Sequence, residues 1–247
     1  LLFFSGVGDW NRLFAVDLNS GDRIWQKTAR SIGPPIVGSD STMIFITKPG
    51  GVHRLRRTDG KIMDKRELKE SITHTPYLGD SLLIVGGSSI HVLDYPKLTV
   101  KNKIELDSPV VGSIHRTAQS YMTITEAGQI ILFNTEGITA TSPTIGLTTK
   151  DIAVGTDMVY AVSDSGVIHA FSTDLSEELW FRNITGNDDY SSFIAPMIVG
   201  DGVMTVSYRG RCLYLDADTG DIRSELVIKK DKFKMDGLAY EGRVYIP

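Results

Sequence analysis

The sequence predicts an all-β fold, a β-propeller of four-stranded antiparallel blades, on three observations. Short apolar, β-prone runs recur at intervals of about 40 residues, the period of such blades. Each run is framed by the same kind of small Gly/Asp turn. Hardly any stretch shows the three-to-four periodicity of an amphipathic helix over a useful length. The best helical candidate, Lys61 to Lys69, falls where a fourth strand belongs and is read as strand.

The runs begin at Leu1, Met43, Leu82, Tyr121, Met158, Val203 and Arg243. They read LLFF, MIFI, LLIV, YMTI, MVYA, VMTV and RVYI. A second β-like stretch precedes the later runs. In Pro35 to Asp40, Thr75 to Asp80 and Ala195 to Asp201 it opens near a proline and closes in Gly/Asp. Proline is tolerated there because the first residue of a strand need not donate to the ladder. The copies at Ile152 to Asp157 and Gly237 to Gly242 lack it. After each run comes a polar turn, such as Pro49-Gly50-Gly51 or Ser163 to Gly166, where glycine supplies the positive φ of a tight hairpin. A third strand follows (RLFAVDL, VHRLRR, IHVLDY, QIILFN, VIHAFS, CLYLDA), and a more polar fourth closes the module. A β-sandwich also places strands every 8–12 residues or so, but it does not repeat one four-part module at a constant period.

Seven second strands against six complete third and fourth strands give six to seven blades. Either Gly237 to Gly242 closes blade one in a six-bladed ring, or residues outside this sequence complete seven or eight. Residues 1–247 are read as a single propeller domain, standing alone or as part of a longer chain. Closure matters because open strand edges invite aggregation.

Composition narrows the function classes. Of 247 residues, 41% are apolar and 23% charged, enough for a sizeable core and too apolar for a disordered chain. The net charge of −4 lacks the positive field that nucleic-acid binding needs. No apolar run approaches the roughly 18–20 residues of a spanning helix. With one cysteine, Cys212, neither an internal disulfide nor a cysteine zinc site is available. The chain opens on Leu1 in a strand-like run with no signal segment visible, as a mature secreted chain or a domain cut from a longer one would. The compartment stays open, with an extracytoplasmic setting, periplasmic or secreted, slightly favoured.

Blade one carries Ala15-Val-Asp17-Leu-Asn-Ser-Gly21-Asp-Arg-Ile-Trp25. The Asp17 carboxylate is placed to accept backbone N–H groups of the following turn. Gly21 can take the left-handed conformation that ends it. Trp25, on the outer strand, can lie flat against the next blade and bury a large apolar area. Other blades keep the pattern in part. Blade six has Tyr214, Asp216 and Gly220 with Ser224 for tryptophan; blade five has Ala170, Ser172, Ser176 and Trp180. Blade three keeps Val92 and Asp94 with Leu98 and Asn102, and blade two keeps Gly60 among Arg54, Arg56 and Asp64. In blade four, Leu132 to Gly137 is one residue shorter in the turn.

This A-x-D-x-x-x-G-x-x-x-W pattern resembles the tryptophan-docking motif of the PQQ-like (quinoprotein-type) propeller repeats, and the resemblance covers nearly the whole chain. It implies a propeller similar in fold to the BamB-type assembly lipoproteins, whose rims bind peptides or partner domains. The lipobox cysteine of those lipoproteins is not in this sequence. The resemblance also raises a PQQ-dependent dehydrogenase. Such enzymes stack the quinone against a ring of adjacent disulfide-bonded cysteines, hold Ca²⁺ and use a catalytic Asp. Cys212 has no partner for such a ring, so no cofactor is expected.

Other chemistry is sought without result. Asp216 to Asp221 resembles the start of a calcium loop but lacks its fifth- and sixth-place residues and its late glutamate. His53, His74, His91, His115 and His169 make no zinc-type pair, and no G-x-S-x-G elbow exists. No catalytic or metal residue is assigned. Three features are candidate contacts. Arg54, Arg56 and Arg57, with Lys61, Lys65 and Arg66, form a candidate basic patch, and Lys229, Lys230, Lys232 and Lys234 form another cluster. Asp188, Asp189 and Tyr190 give an acidic, aromatic lip on a loop that leaves one propeller face, a candidate partner-binding loop.

The sequence is thus read as a non-catalytic scaffold or binding platform for a protein or peptide. One alternative is an accessory or sensor propeller of a larger enzyme. The other is a PQQ-dependent dehydrogenase-like enzyme.

Overall fold

The computed structural model describes residues 1–6, 11–30, 33–72, 74–186, 192–228, 238–240 and 243–245. The chain divides into two compact units, Leu1–Ile114 and His115–Pro247. Among the described residues there are strands and turns and no helix.

The first unit holds three blades. Blade one is β1 (Leu2–Gly6), β2 (Arg12–Val16) and β3 (Arg23–Thr28). Blade two is β4 (Ile36–Val37), β5 (Thr42–Thr47), β6 (Gly51–Arg56) and β7 (Ile62–Glu67). Blade three is β8 (Tyr77–Leu78), β9 (Leu82–Gly86), β10 (Ser89–Asp94) and β11 (Val100–Glu105).

The second unit continues the series. Blade four is β12 (His115–Arg116), β13 (Tyr121–Ile124), β14 (Ile130–Phe133) and β15 (Ile138–Thr141). Blade five is β16 (Ala153–Val154), β17 (Met158–Val162), β18 (Val167–Ser172) and β19 (Glu178–Asn183). Blade six is β20 (Met197–Val199), β21 (Gly202–Val206), β22 (Arg211–Asp216) and β23 (Ile222–Val227). A last pair is β24 (Leu238–Tyr240) and β25 (Arg243–Tyr245). Every sheet is an antiparallel meander in chain order, four-stranded in blades two to six and three-stranded in blade one. Lys61 to Lys69, the one helix-like stretch, contains strand β7.

Burial explains the composition of the strands. In blades two to six the second and third strands are buried at most positions on both faces, so they read as continuous apolar runs rather than alternating ones. β5 is buried at five of six positions and β10 likewise. The fourth strands face water: every residue of β23 is exposed, as are five of six in β7. The cores lie between consecutive blades. Leu13, Met43, Phe45 and Leu55 join blades one and two. Ile44, Val52, Leu83 and Leu93 join blades two and three. Val162, Ile168, Phe193, Val203 and Leu213 join blades five and six.

One irregularity recurs in all six blades. The fourth strand carries one extra residue near its start: Ile24, Met63, Lys101, Thr139, Leu179 or Arg223. Such a bulge bends the strand and re-aims the next side chain. That next side chain is Trp25, Asp64, Asn102, Ala140, Trp180 or Ser224. Each pairs with Ala15, Arg54, Val92, Leu132, Ala170 or Tyr214, respectively, on the third strand. The bulge therefore sets one equivalent position per blade, and in blades one and five the tryptophan there reaches the following blade.

Candidate functional site

The turn between third and fourth strands is built by its first acid. Asp17 Oδ1 accepts the N–H groups of Asn19 at 2.8 Å and Ser20 at 3.2 Å, and Gly21 at φ 75° returns its N–H to the Asp17 carbonyl. These backbone donors hold the Asp17 carboxyl below the ordinary range. Asp216 repeats the device with Asp218 and Thr219, each at 2.9 Å, and Gly220 lies at φ 70°. The Thr219 N–H and Arg223 bring Asp216 down to about 2. In blade three Asp94 pairs with Lys101 at 2.6 Å, and Leu98 occupies the positive-φ position at 56°. In blade four Asn134 takes the acid's part, accepting Glu136 N–H and Gly137 N–H.

The tryptophans dock on the next blade's copy of that turn. Trp25 Nε1 donates to the Arg57 carbonyl at 2.8 Å, and Trp180 Nε1 donates to the Ala217 carbonyl at 2.9 Å. Each ring lies over the turn glycine: a Cβ on Gly60 would come within 2.9 Å of Trp25, and one on Gly220 within about 2.5 Å of Trp180. Both tryptophans face an alanine on their own third strand, Ala15 or Ala170, which leaves room for the ring. Phe3 and Tyr160 flank them at ring-centroid distances of 6.0 and 5.9 Å.

Blade two meets blade three differently. Tyr95 projects its hydroxyl back to donate to Asp40 Oδ1, and Thr42 Oγ1 lies 2.6 Å from the same hydroxyl and 2.5 Å from Asp40. Arg54 then joins Asp40 at 3.4 Å and Asp64 at 3.2 Å, with only 14% of its side chain exposed. Burial would raise the Asp40 carboxyl, but the Thr42 and Tyr95 hydrogen bonds outweigh it and hold it below the ordinary range. The three arginines of the basic patch thus have separate surroundings. Arg54 is enclosed by two acids, Arg56 pairs with Asp59 at 3.0 Å, and Arg57 lends its carbonyl to Trp25.

The histidines serve local pairs. His91 faces Glu70 at 3.1 Å, and His169 Nδ1 faces Glu178 at 2.6 Å between Phe171 and Phe181. His53 stacks on Phe45 at 4.6 Å, and burial together with nearby Lys65 disfavours its charged form. Cys212 is buried, which pushes its thiol up. Among the described residues no group of three or more His, Cys, Asp or Glu side chains converges as a metal site. The loop residues Asp188, Asp189 and Tyr190, and the cluster from Lys229 to Lys234, lie outside the described residues.

A pocket of about 630 Å³ opens in the second unit, between blades four and five. Its walls are residues 115–120 of β12 and its turn, residues 154–156 of the matching turn in blade five, and Thr173 and Asp174 after β18. Leu132 supplies apolar surface. His115 is fixed by Asp151 at 2.9 Å. Asp174 is held at about 2 by the hydroxyls of Ser172 and Ser176, so it is an anion at neutral pH. Of these residues the sequence marks only His115, among histidines without a zinc-type pair, and Leu132, at the start of blade four's shorter turn. The available signal was an absence, the tryptophan missing from β15.

A family model described as outer membrane protein assembly factor BamB matches residues 10–101. No curated protein sequence matches the chain. In structure the chain is similar to BamB from Moraxella catarrhalis, with TM-score 0.81 and 18% identity over 99% of this chain and 82% of that one. It is also similar to the C-terminal WD40 domain of Sif2, with TM-score 0.72 and 15% identity over 99% of this chain and 80% of that one. In all, 1441 solved chains match, so the fold by itself selects no function.

Proposed function

We propose that this chain, a β-propeller of PQQ-like repeats with the fold of BamB, is a non-catalytic platform that holds a protein or peptide partner. The observation that carries the reading is the pocket between blades four and five. It combines apolar floor, ring nitrogen, amide and carboxylate on a frame of hydrogen-bonded strands, the mixture that fixes a ligand's orientation. The conspicuous Asp, Gly and Trp positions are engaged in turns and docking, which fits a scaffold. The name of the matching family, an assembly factor, agrees in kind. The chain's net charge of −4 favours a protein over a nucleic acid.

The test is to pan a random peptide library on the purified chain and map the selected peptides by backbone hydrogen exchange. Protection at residues 115–120, 154–156 and 173–174, with the peptide recovered at unchanged mass, is the expected result. A library that yields no ligand, or peptides returned chemically altered, would remove the reading. The same proposal treats residues 1–247 as one domain, for which calorimetry should record one unfolding transition rather than two.

A further inference from the structure

We infer that the pocket between blades four and five is a vacated tryptophan slot and that it binds the indole side chain of a tryptophan in a partner peptide. This deepens the platform reading and rests on it.

The bulge fixes one side chain per blade at the same register position. In blades one and five that side chain is tryptophan, and the slot is filled from within. In blade four the same register position is Ala140, paired with Leu132. The large and small members of the pair are exchanged relative to Ala15/Trp25 and Ala170/Trp180. Leu132 covers part of the space from the third strand, and it lines the cavity that remains.

The far wall is equivalent as well. The Arg57 carbonyl, which receives Trp25, belongs to the residue whose N–H bonds the Ser41 carbonyl at 3.1 Å. Thr173 holds the same place in blade five: its N–H bonds the Asp157 carbonyl at 3.1 Å, and it lines the pocket. The Thr173 carbonyl is therefore the acceptor position for an incoming indole N–H. Blade five has Ser176 where the docking blades have Gly60 and Gly220, so the seat has no bare glycine. Its wall is instead Thr173 and Asp174. At about 630 Å³ the cavity exceeds one indole ring, leaving room for backbone on either side of the tryptophan. An indole suits both requirements, a broad apolar face for Leu132 and Val154 and one N–H donor.

The test uses N-acetyl-tryptophan amide, its 1-methylindole analogue and N-acetyl-alanine amide, titrated into the isotope-labelled chain and followed by amide chemical shifts. Saturable shifts at Leu132, Val154 and Thr173 are expected with the first. The 1-methyl analogue should bind roughly fivefold more weakly, the loss of one net hydrogen bond, and the alanine compound should leave these amides unmoved. Ala140→Trp should fill the slot from within, abolish the shifts and raise the unfolding midpoint. Ala118→Arg, on the exposed turn at the mouth, should block entry without entering the fold's core. Equal shifts from the tryptophan and alanine compounds, or undiminished shifts in both variants, would overturn the inference. Library peptides that bind the chain but are indifferent to Ala140→Trp would overturn it too, while leaving the platform reading standing.

Discussion

The joint between blades one and two and the joint between blades two and three are built from the same strand register, yet they are held by opposite chemistries. At the first, Trp25 lies on Gly60 and donates to the Arg57 carbonyl. At the second, the equivalent position is Asp64, and the contact is a chain of polar groups: Asp64, Arg54, Asp40, Thr42 and Tyr95. The tryptophan joint is one large ring with one directed bond, so its stability comes chiefly from area removed from water. The polar joint depends on each member having its partner, because half-buried charged and hydroxyl groups left unpaired are costly. A propeller can therefore lose most of its docking tryptophans when another residue set takes over the joint, and between blades four and five a cavity is left.

The largest test of that contrast is Gly220→Val. The new side chain would meet the Trp180 ring and force a β-branched residue into φ 70°. The cost should be about 4 kcal/mol, the left-handed penalty added to much of the ring's packing. Trp25→Ala should cost about 3 kcal/mol, the low end for large aromatic truncations, because the ring is half-buried. Combined with Gly60→Ala it should cost less than the two single changes together, since each disturbs the same contact. Denaturant unfolding followed by circular dichroism measures all of these. Strict additivity would break the pairing of ring and glycine.

At the polar joint the effects are smaller. Tyr95→Phe should cost about 1 kcal/mol by withdrawing the hydroxyl from Asp40 and Thr42. The smallest effect is in pH. Asp40 is held below its ordinary value of 3.8, so its contribution is complete above that pH and fades as pH falls through the lowered folded value. The stability gap between the natural chain and Asp40→Asn should therefore narrow from about pH 6 to about pH 3. A gap that widens with acid would reverse the assignment. Trp25→Ala, which removes no titrating group, should shift stability by the same amount at both pH values.

The repeat was legible because it is covalent in character: apolar runs, Gly/Asp turns and a period need only the order of residues. The site was less so. Gly60 reads in sequence as the remnant of a decayed motif, whereas its role is to seat Trp25 from the blade before. The retained pairs, Trp25 with Gly60 and Trp180 with Gly220, were visible in the letters, but the rule joining them crosses from one blade to the next. Arg54 reads as a surface cation because its partners come from elsewhere in the blade, Asp40 from the turn before β5 and Asp64 from β7. The proposed tryptophan slot rests on what Ala140 does not supply, and an absence acquires meaning only once the register is known.

Trp25 belongs to the first compact unit and Trp180 to the second, and both indoles donate to a backbone carbonyl at nearly the same distance. Trp25 and Trp180 are thus one docked fluorophore in each unit, in closely similar settings, beside a third tryptophan, Trp10, in the first. Replacing either docked ring by phenylalanine removes its emission, so the difference from the parent spectrum isolates the light of that one ring. The same positions that close the blades are optical labels supplied by the sequence itself.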